Sequence, residues 1–374
     1  MIDKHKIKDI KVHVISIPAK AVHSHGSGDV GSINSVILEI STDSGLTGWG
    51  EASPWPVFTG TVEANAAALH KYIKPKLIGK NPFNVEKHLT MADNILVHCT
   101  EAKAALEVAL LDIIGQATNL PIVELFGGRH CDSIPLSFSV ANQNFETDLE
   151  DISKLYNDGV RLFKLKTGFS DHSFDLMRLE KLRKLYNDKI SLRVDYNQGL
   201  KAYNAIRTLK DIESFKPEFI EQPVKKNEIE ALSEITRIID TPIMADESVF
   251  NAREAFIGAK LRIADIFSLK IMKSGGIRRA IEVASIARSA GISVYGGCMF
   301  ETGIASTAGT HLMAAIPDLT LGCEFYMPTY YLQEDILNQP FPVQKGHVHI
   351  PTKPGLGIEV NLDVLSKYRI NLLS

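Results

Sequence analysis

Along the first fifty residues apolar side chains recur at every second position. IKDIKVHVISIP alternates and ends on a proline, and SINSVILEISTDSGLTGWGEA alternates on both sides of a DSGL turn. Such a period belongs to half-buried strands, and a turn between two of them predicts an antiparallel hairpin. The intervening VHSHGSGDVGS, residues 22–32, is too polar and small-sided to build a core, so it reads as a surface loop. From Val62 the period becomes helical. VEANAAALHKYIKPKLIG predicts a helix up to its proline. TEAKAALEVALLDIIGQATNLP, residues 100–121, predicts a long helix with Thr100 as N-cap. Residues 1–130 therefore read as an α+β unit, an antiparallel sheet followed by helices.

Beyond GGRHCDSIP, short apolar strands alternate with helical stretches. Their centres fall at Phe138, Leu165, Val194, Phe219, Met244, Phe267, Tyr295 and Gly322. Each interval holds one strand, one helix and two short loops. Eight such units of even length predict a closed parallel barrel over residues 131–345 rather than an open doubly wound sheet. No GxGxxG follows the first strand, which speaks against a dinucleotide fold. The tail, 346–374, contains HVHIP and KPGLGIEVN and reads as extended structure returning to pack on the first domain.

Composition narrows the partners. Lys plus Arg is 41 and Asp plus Glu is 44, a net charge of -3, with no basic tail. A protein that holds nucleic acid through its phosphates is normally basic, so neither DNA nor RNA is expected. The 4 cysteines form no CxxC. The start has no apolar leader and no run reaches the length of a membrane span, so the expectation is a cytoplasmic protein with no membrane partner.

In a parallel barrel the residues at the C-terminal strand ends face the active site. There the second strand carries Lys164 and Lys166, the third Asp195 and Asn197, and the fourth Glu221. The fifth carries Asp246 and Glu247, the sixth Lys270 and Lys273, the seventh Glu301 and the eighth Glu324. One acid alone would read as a helix cap or an ion-pair partner. Asp195, Glu221 and Asp246 instead recur once per unit on three adjacent strands. Carboxylates that close repel one another, and a hard divalent cation relieves the repulsion. All-oxygen donors favour Mg²⁺, with Mn²⁺ next. Lys164 and Lys166 point to one side of their strand. The sixth strand sets Lys270 across the ring. A carboxylate substrate would then lie between Lys166 and Lys270, each reaching one face of its α-carbon. Lys164 supplies a like charge that lowers the Lys166 pKa. A bound cation stabilises the ene-diolate left when the α-proton departs.

With these motifs in hand the sequence resembles the enolase superfamily, in its muconate-cycloisomerase-like subgroup. The resemblance rests on GLTGWGEA, ALLDIIGQATNLPIVELFGG, Lys164-x-Lys166, Asp195-x-Asn197, Glu221-Gln222-Pro223, Asp246-Glu247-Ser248, and Lys270 followed by Gly275-Gly276. It spans nearly the whole chain. It implies an α/β fold, a modified TIM barrel (β/α)₇β with an N-terminal α+β capping domain, in which the helix after the eighth strand is lost. It further implies Mg²⁺ on Asp195, Glu221 and Asp246, acid/base lysines at Lys166 and Lys270, and a homo-oligomer, either a dimer or an octamer.

That family shares a half-reaction rather than a substrate. Members perform muconate cycloisomerisation, o-succinylbenzoate synthesis, or racemisation, epimerisation and related reactions of N-acylamino acids, dipeptides and proline derivatives. Dipeptide epimerases usually carry Asp-x-Asp at the eighth strand, where this chain has Glu324 and Tyr326. Glu-Phe-x-x-Pro at 324–328 looks more like the Glu-Leu-Phe-Gly-Pro of muconate cycloisomerases, with Met327 in place of the glycine. Lys270 argues against the mandelate racemase branch, which uses a His–Asp dyad there. The resulting expectation is an Mg²⁺-dependent isomerase or lyase, foremost a muconate-type cycloisomerase, with a racemase or epimerase as the alternative. In this architecture specificity comes from the capping domain, in the segments 20–32 and 53–61. The first holds His23 and His25, which are either lid contacts or solvated. The second holds Trp55 and Phe58, walls for a flat acid or for an ammonium. Asn197, Glu301, Glu324 and Tyr326 complete the expected substrate contacts. His98 is open to an interface or substrate role, and His311 reads as structural.

Overall fold

The computed structural model describes residues 5–25, 28–317 and 319–372. The period-two segments form an antiparallel sheet of β1 (Ile7–His25), β2 (Gly28–Thr42) and β3 (Thr47–Ala52). The 22–32 segment is not an irregular loop. Its backbone continues the β1–β2 ladder, pairing His23 with Val30 and Ser24 with Asp29 after an irregularity at Pro18. Ladder hydrogen bonds need no apolar side chains, so a polar ribbon extends beyond the sheet where the sequence offered no core. The side chains of His23 and His25 lie outside the described residues.

Three helical pieces follow: α1 (Val62–Ala67), a π-helical turn (Ala68–Ile73) and α2 (Lys74–Leu77). The helix thus runs past Pro75. The π turn shifts the bonding to i→i+5 (Lys74 N donates to Leu69 O), and Pro75 falls in the first turn of α2, where its missing N–H is tolerated. Next come α3 (Val85–Ile95) and α4 (Thr100–Thr118). Thr100 is not the N-cap of α4. Cys99 takes that place in the left-handed region, and Asn65 Oδ1, from α1, accepts from Ala102 N at 2.9 Å.

A short strand β4 (Ser133–Pro135) precedes the barrel. The parallel strands are β5 (Ser137–Val140), β6 (Leu162–Lys166), β7 (Ser191–Asp195), β8 (Ile220–Glu221), β9 (Ile243–Ala245), β10 (Ile266–Leu269) and β11 (Ser293–Gly296). Their neighbours in the sheet follow chain order. The helices between them are α5 (Phe145–Asn157), α6 (His172–Tyr186), α7 (Ala202–Glu213), α8 (Ile229–Ile238), α9 (Ala252–Leu261), α10 (Ile271–Ser274) and α11 (Ile277–Ser289). After β11 comes α12 (Gly303–Ala314), and the eighth position is then barely a strand. Cys323 bridges Leu136 on one side and Gly296 on the other, which closes the ring. Seven strands and this bridge make a modified (β/α)₇β barrel beneath a capping domain. After Glu324 a π-helical turn, Met327–Tyr331, stands where an eighth barrel helix would be.

The tail forms β12 (Val343–Gln344), β13 (His347–His349) and α13 (Leu362–Lys367). β13 pairs with β4, and Ser16 N and Tyr368 O, like Ile370 N and Val14 O, join the chain end to β1. No helix among the described residues is long and apolar enough to cross a membrane.

Candidate active site

The strand ends bring the charged residues together above the barrel. Asp195 and Glu221 are direct register partners on β7 and β8, and Lys166 is opposite Asp195. Lys164 is fully buried; it donates to Glu221 Oε2 at 2.6 Å and forms an ion pair with Glu324 Oε2, also at 2.6 Å, with Asp195 Oδ2 at 3.6 Å. Lys166 donates to Asp195 Oδ2 at 2.5 Å and Asn197 Oδ1 at 3.1 Å. From β10's end, Lys270 donates to Asp246 Oδ2 at 2.6 Å. Lys273 donates to Asp246 Oδ1 at 2.7 Å and to the Asp246 and Ser268 carbonyls at 2.8 Å.

These pairs set the protonation states. Burial alone would discharge Lys164, but Glu221, Glu324 and Asp195 outweigh it and hold its pKa well above the ordinary value. Burial acts the same way on Lys270 and is overcome by Asp246 and Glu221. On Lys273 burial prevails against Asp246 and lowers the pKa. Asp195 and Asp246 would be raised by burial, yet their lysines keep both below the usual carboxylate range. Glu221 and Glu247 are each pushed up to about 8, by burial first and then by the neighbouring carboxylates.

Among the described residues no three His, Cys, Asp or Glu side chains converge into a metal-binding group. The acids instead face the lysines, which occupy the space between them. The donor set nevertheless suits a hard cation. Its ligating atoms are all carboxylate oxygens, and Glu221 Oε1 is buried with no hydrogen-bond partner. The elevated Glu221 pKa registers the same shortage of positive charge.

Lys166 and Lys270 both line one cavity, together with Trp55, Phe58, Ser139, Asn197, Cys298, Met299, Phe300, Glu324, Tyr326 and Met327. Its free space is about 40 Å³, enough for a few waters at most. The roof is aromatic. Trp55 meets Phe300 edge-on at 5.5 Å, Phe58 stacks on Phe250 at 5.6 Å, and Lys270 Nζ lies 4.8 Å from the Phe58 ring centre. Glu324 Oε1 accepts from Cys298 N at 3.3 Å, so both its oxygens are engaged. Tyr326 packs on Phe138 at 4.8 Å, and its hydroxyl bonds the Ser139 side chain.

Glu301 is buried but is not among the cavity-lining residues; it accepts from Met299 N at 3.0 Å and is pushed up to about 8 by burial. His25 lies in the segment whose side chains are not described. His98 lines a separate surface cleft instead. His311 is buried and donates Nε2–H to Leu356 O at 3.0 Å. Sequence reasoning assigned no role to Cys298, Met299, Phe300, Ser139 or Phe250, which surround the site. The apolar Cys298-Met299-Phe300 run after β11 was a usable signal, since a strand end facing solvent would not carry it.

Two family models cover most of the chain. "Mandelate racemase / muconate lactonizing enzyme, N-terminal domain" matches residues 10–127, and "Enolase C-terminal domain-like" matches residues 148–364. The chain belongs to the mandelate racemase/muconate lactonizing enzyme family of the enolase superfamily. It is 34% identical to the L-Ala-D/L-Glu epimerase of Bacillus subtilis (strain 168), over 94% of this chain and 96% of that one. Among solved structures, muconate lactonizing enzyme from Pseudomonas fluorescens complexed with muconolactone superposes with a TM-score of 0.94 at 30% identity, covering 98% and 100% of the two chains. A muconate cycloisomerase from Azorhizobium caulinodans gives 0.87 at 41% identity, covering 98% of each.

Proposed function

We propose that this protein is an acid/base isomerase acting on a small carboxylate through an ene-diolate, and that its substrate is a muconate-type dicarboxylate closed to a lactone. One observation carries the choice of substrate. Glu324 is held by Lys164 and by Cys298 N, and Tyr326 stands where a second acid would be. Among the described residues that line the cavity there is therefore no uncommitted carboxylate for a substrate ammonium, which disfavours free dipeptides.

In the ring closure, an oxygen of one carboxylate adds to the diene. The π pair moves to the carbon α to the other carboxylate, and Lys166 or Lys270 delivers a proton to that carbon. The dianion thereby takes up one proton, which solvent returns to the lysine, and no electron is gained or lost. Asp195, Glu221 and Asp246 would hold Mg²⁺, with Mn²⁺ as a substitute, supplying positive charge to the developing ene-diolate. Asn197 orients Lys166, and Trp55 and Phe58 exclude water.

A second reading is racemisation or epimerisation of N-acylamino acids or proline derivatives. It is favoured by two lysines from well-separated strands lining one cavity, the requirement for proton transfer on both faces of one carbon. The deciding experiment offers cis,cis-muconate with Mg²⁺ and follows loss of its ultraviolet absorbance. Turnover that EDTA abolishes and Mg²⁺ restores is the expected result. No absorbance loss at high enzyme concentration, alongside α-proton exchange into N-acylamino acids, would replace the first reading with the second. Full turnover by metal-stripped protein would remove the cation from both.

A further inference from the structure

Two carboxylates of the capping domain are buried at the starts of consecutive barrel helices. Glu51, on β3, has no exposed surface. Its Oε1 accepts from Ser35 Oγ at 2.8 Å and Thr302 N at 3.0 Å; its Oε2 accepts from Thr302 Oγ1 at 2.6 Å and Ala305 N at 3.0 Å. Thr302 and Ala305 open α12. Glu107, on α4, is equally buried, and its carboxylate accepts from Arg278 N at 3.3 Å and from Ile277 N. These two residues open α11.

The first N–H groups of a helix have no partner within it and attract negative charge. At the N-cap of α11 stands Gly276, which has no side chain to offer. Its φ is +136°, and a Cβ there would sit 2.0 Å from Glu107 Oε2. Glycine is thus required for the acid to come so close. The two acids also issue from one rigid unit. A Cβ on Gly48 or Gly50 of β3 would lie 2.1 or 2.0 Å from the Ala109 or Ala105 carbonyl oxygen of α4, so strand and helix meet backbone to backbone.

Each helix so capped follows a loop of the site. Upstream of α12 lie Cys298, Met299 and Phe300, one wall of the cavity; upstream of α11 lie Lys270 and Lys273. We propose that Glu51 and Glu107 are positioning residues, through which the capping domain sets the Cys298–Phe300 wall and the Lys270 segment respectively. The kinetic consequence for Lys270 rests on the function proposed above; the placement of the two loops does not.

The test compares Glu51→Gln and Glu107→Gln in the full chain by amide hydrogen–deuterium exchange. An amide keeps one acceptor oxygen and turns an NH₂ toward backbone donors. Glu51→Gln should speed exchange about tenfold over residues 297–305 and leave 270–280 within about twofold, and Glu107→Gln should do the reverse. With cis,cis-muconate and Mg²⁺ as the probe, Glu51→Gln should mainly raise KM and Glu107→Gln mainly lower kcat, each about tenfold. Should either variant fail to fold, Glu51→Asp and Glu107→Asp keep the charge on a shorter arm and should give the same crossed pattern, more weakly. Equal acceleration of both segments in each variant, or no change in either, would overturn the proposal. A crossed exchange pattern without muconate turnover would uphold the positioning role while refuting the substrate.

Discussion

Lys164 and Lys166 are two positions apart on β6 and differ in everything but charge. Lys164 is buried between Glu221 and Glu324 and does not line the cavity; burial favours loss of its proton, but Glu221, Glu324 and Asp195 outweigh burial and hold it charged. Lys166 lines the cavity and leans on Asp195 and Asn197. Lys270 lines it from a distant strand. On the function proposed above, proton transfer is assigned to Lys166 and Lys270, the two lysines that line the cavity, and Lys164 to neutralising the acids beside it. Substituting either transfer residue, Lys166→Ala or Lys270→Ala, should lower turnover by about 10²–10⁴, the usual worth of a positioned acid or base. In a racemase or epimerase each variant should still exchange the α-proton with D₂O from one face, read by NMR. Unchanged turnover in both variants would dismiss the mechanism. Replacing Lys164 with Met should instead weaken the fold, because it strands two buried carboxylates, at a cost of about 3–5 kcal/mol. Urea unfolding midpoints separate that loss from a loss of chemistry.

At the scale of elements, the GLTGWGEA motif has a mechanical reading. Alternation along β3 turns Gly48 and Gly50 to α4, while Trp49 and Glu51 point the other way. Trp49 N donates to Asp112 Oδ2 at 3.0 Å, a further tie between the two elements. Gly50→Ala would drive a methyl group into the Ala105 carbonyl, a backbone atom that cannot swing aside. The expected cost is about 2–3 kcal/mol, the upper part of the range for overpacking, seen as a lower thermal midpoint. Equal stability of this variant would show that β3 and α4 can separate. Gly45, in the turn before β3, faces open space and already has a φ of +87°. Alanine there should act through backbone strain alone and cost less, about 1 kcal/mol.

At the scale of the whole molecule, the tail is tied into the barrel by His311. Its ring is buried in α12 and bonded to the Leu356 carbonyl. Burial lowers its pKa from 6.5 to about 4. In the unfolded chain the ring takes up a proton as pH falls through about 6.5, while the folded ring stays neutral to about 4. Its contribution to stability is therefore full above pH 6.5 and is lost as pH falls toward 4, on the order of 3 kcal/mol in all. His311→Gln should remove that slope from urea midpoints measured between pH 7.5 and 4.5; an unaltered slope would assign the acid sensitivity to other groups. The barrel, its capping sheet and the strand-end acids and lysines were legible in the chain because periodicity and spacing are local properties. A half-buried strand repeats every two residues wherever it packs, and one unit of strand and helix has a nearly constant length. Which acid faces which lysine was not legible, because Lys164 reaches Glu324 across 160 positions of sequence. Nor was the cap of α4, which Asn65 supplies from another helix. Residue types and their order determined the fold and the inventory of charge. The partners of each buried charge were decided only when the tertiary structure closed, because a buried charge takes whichever opposite group the packing brings within a few ångströms.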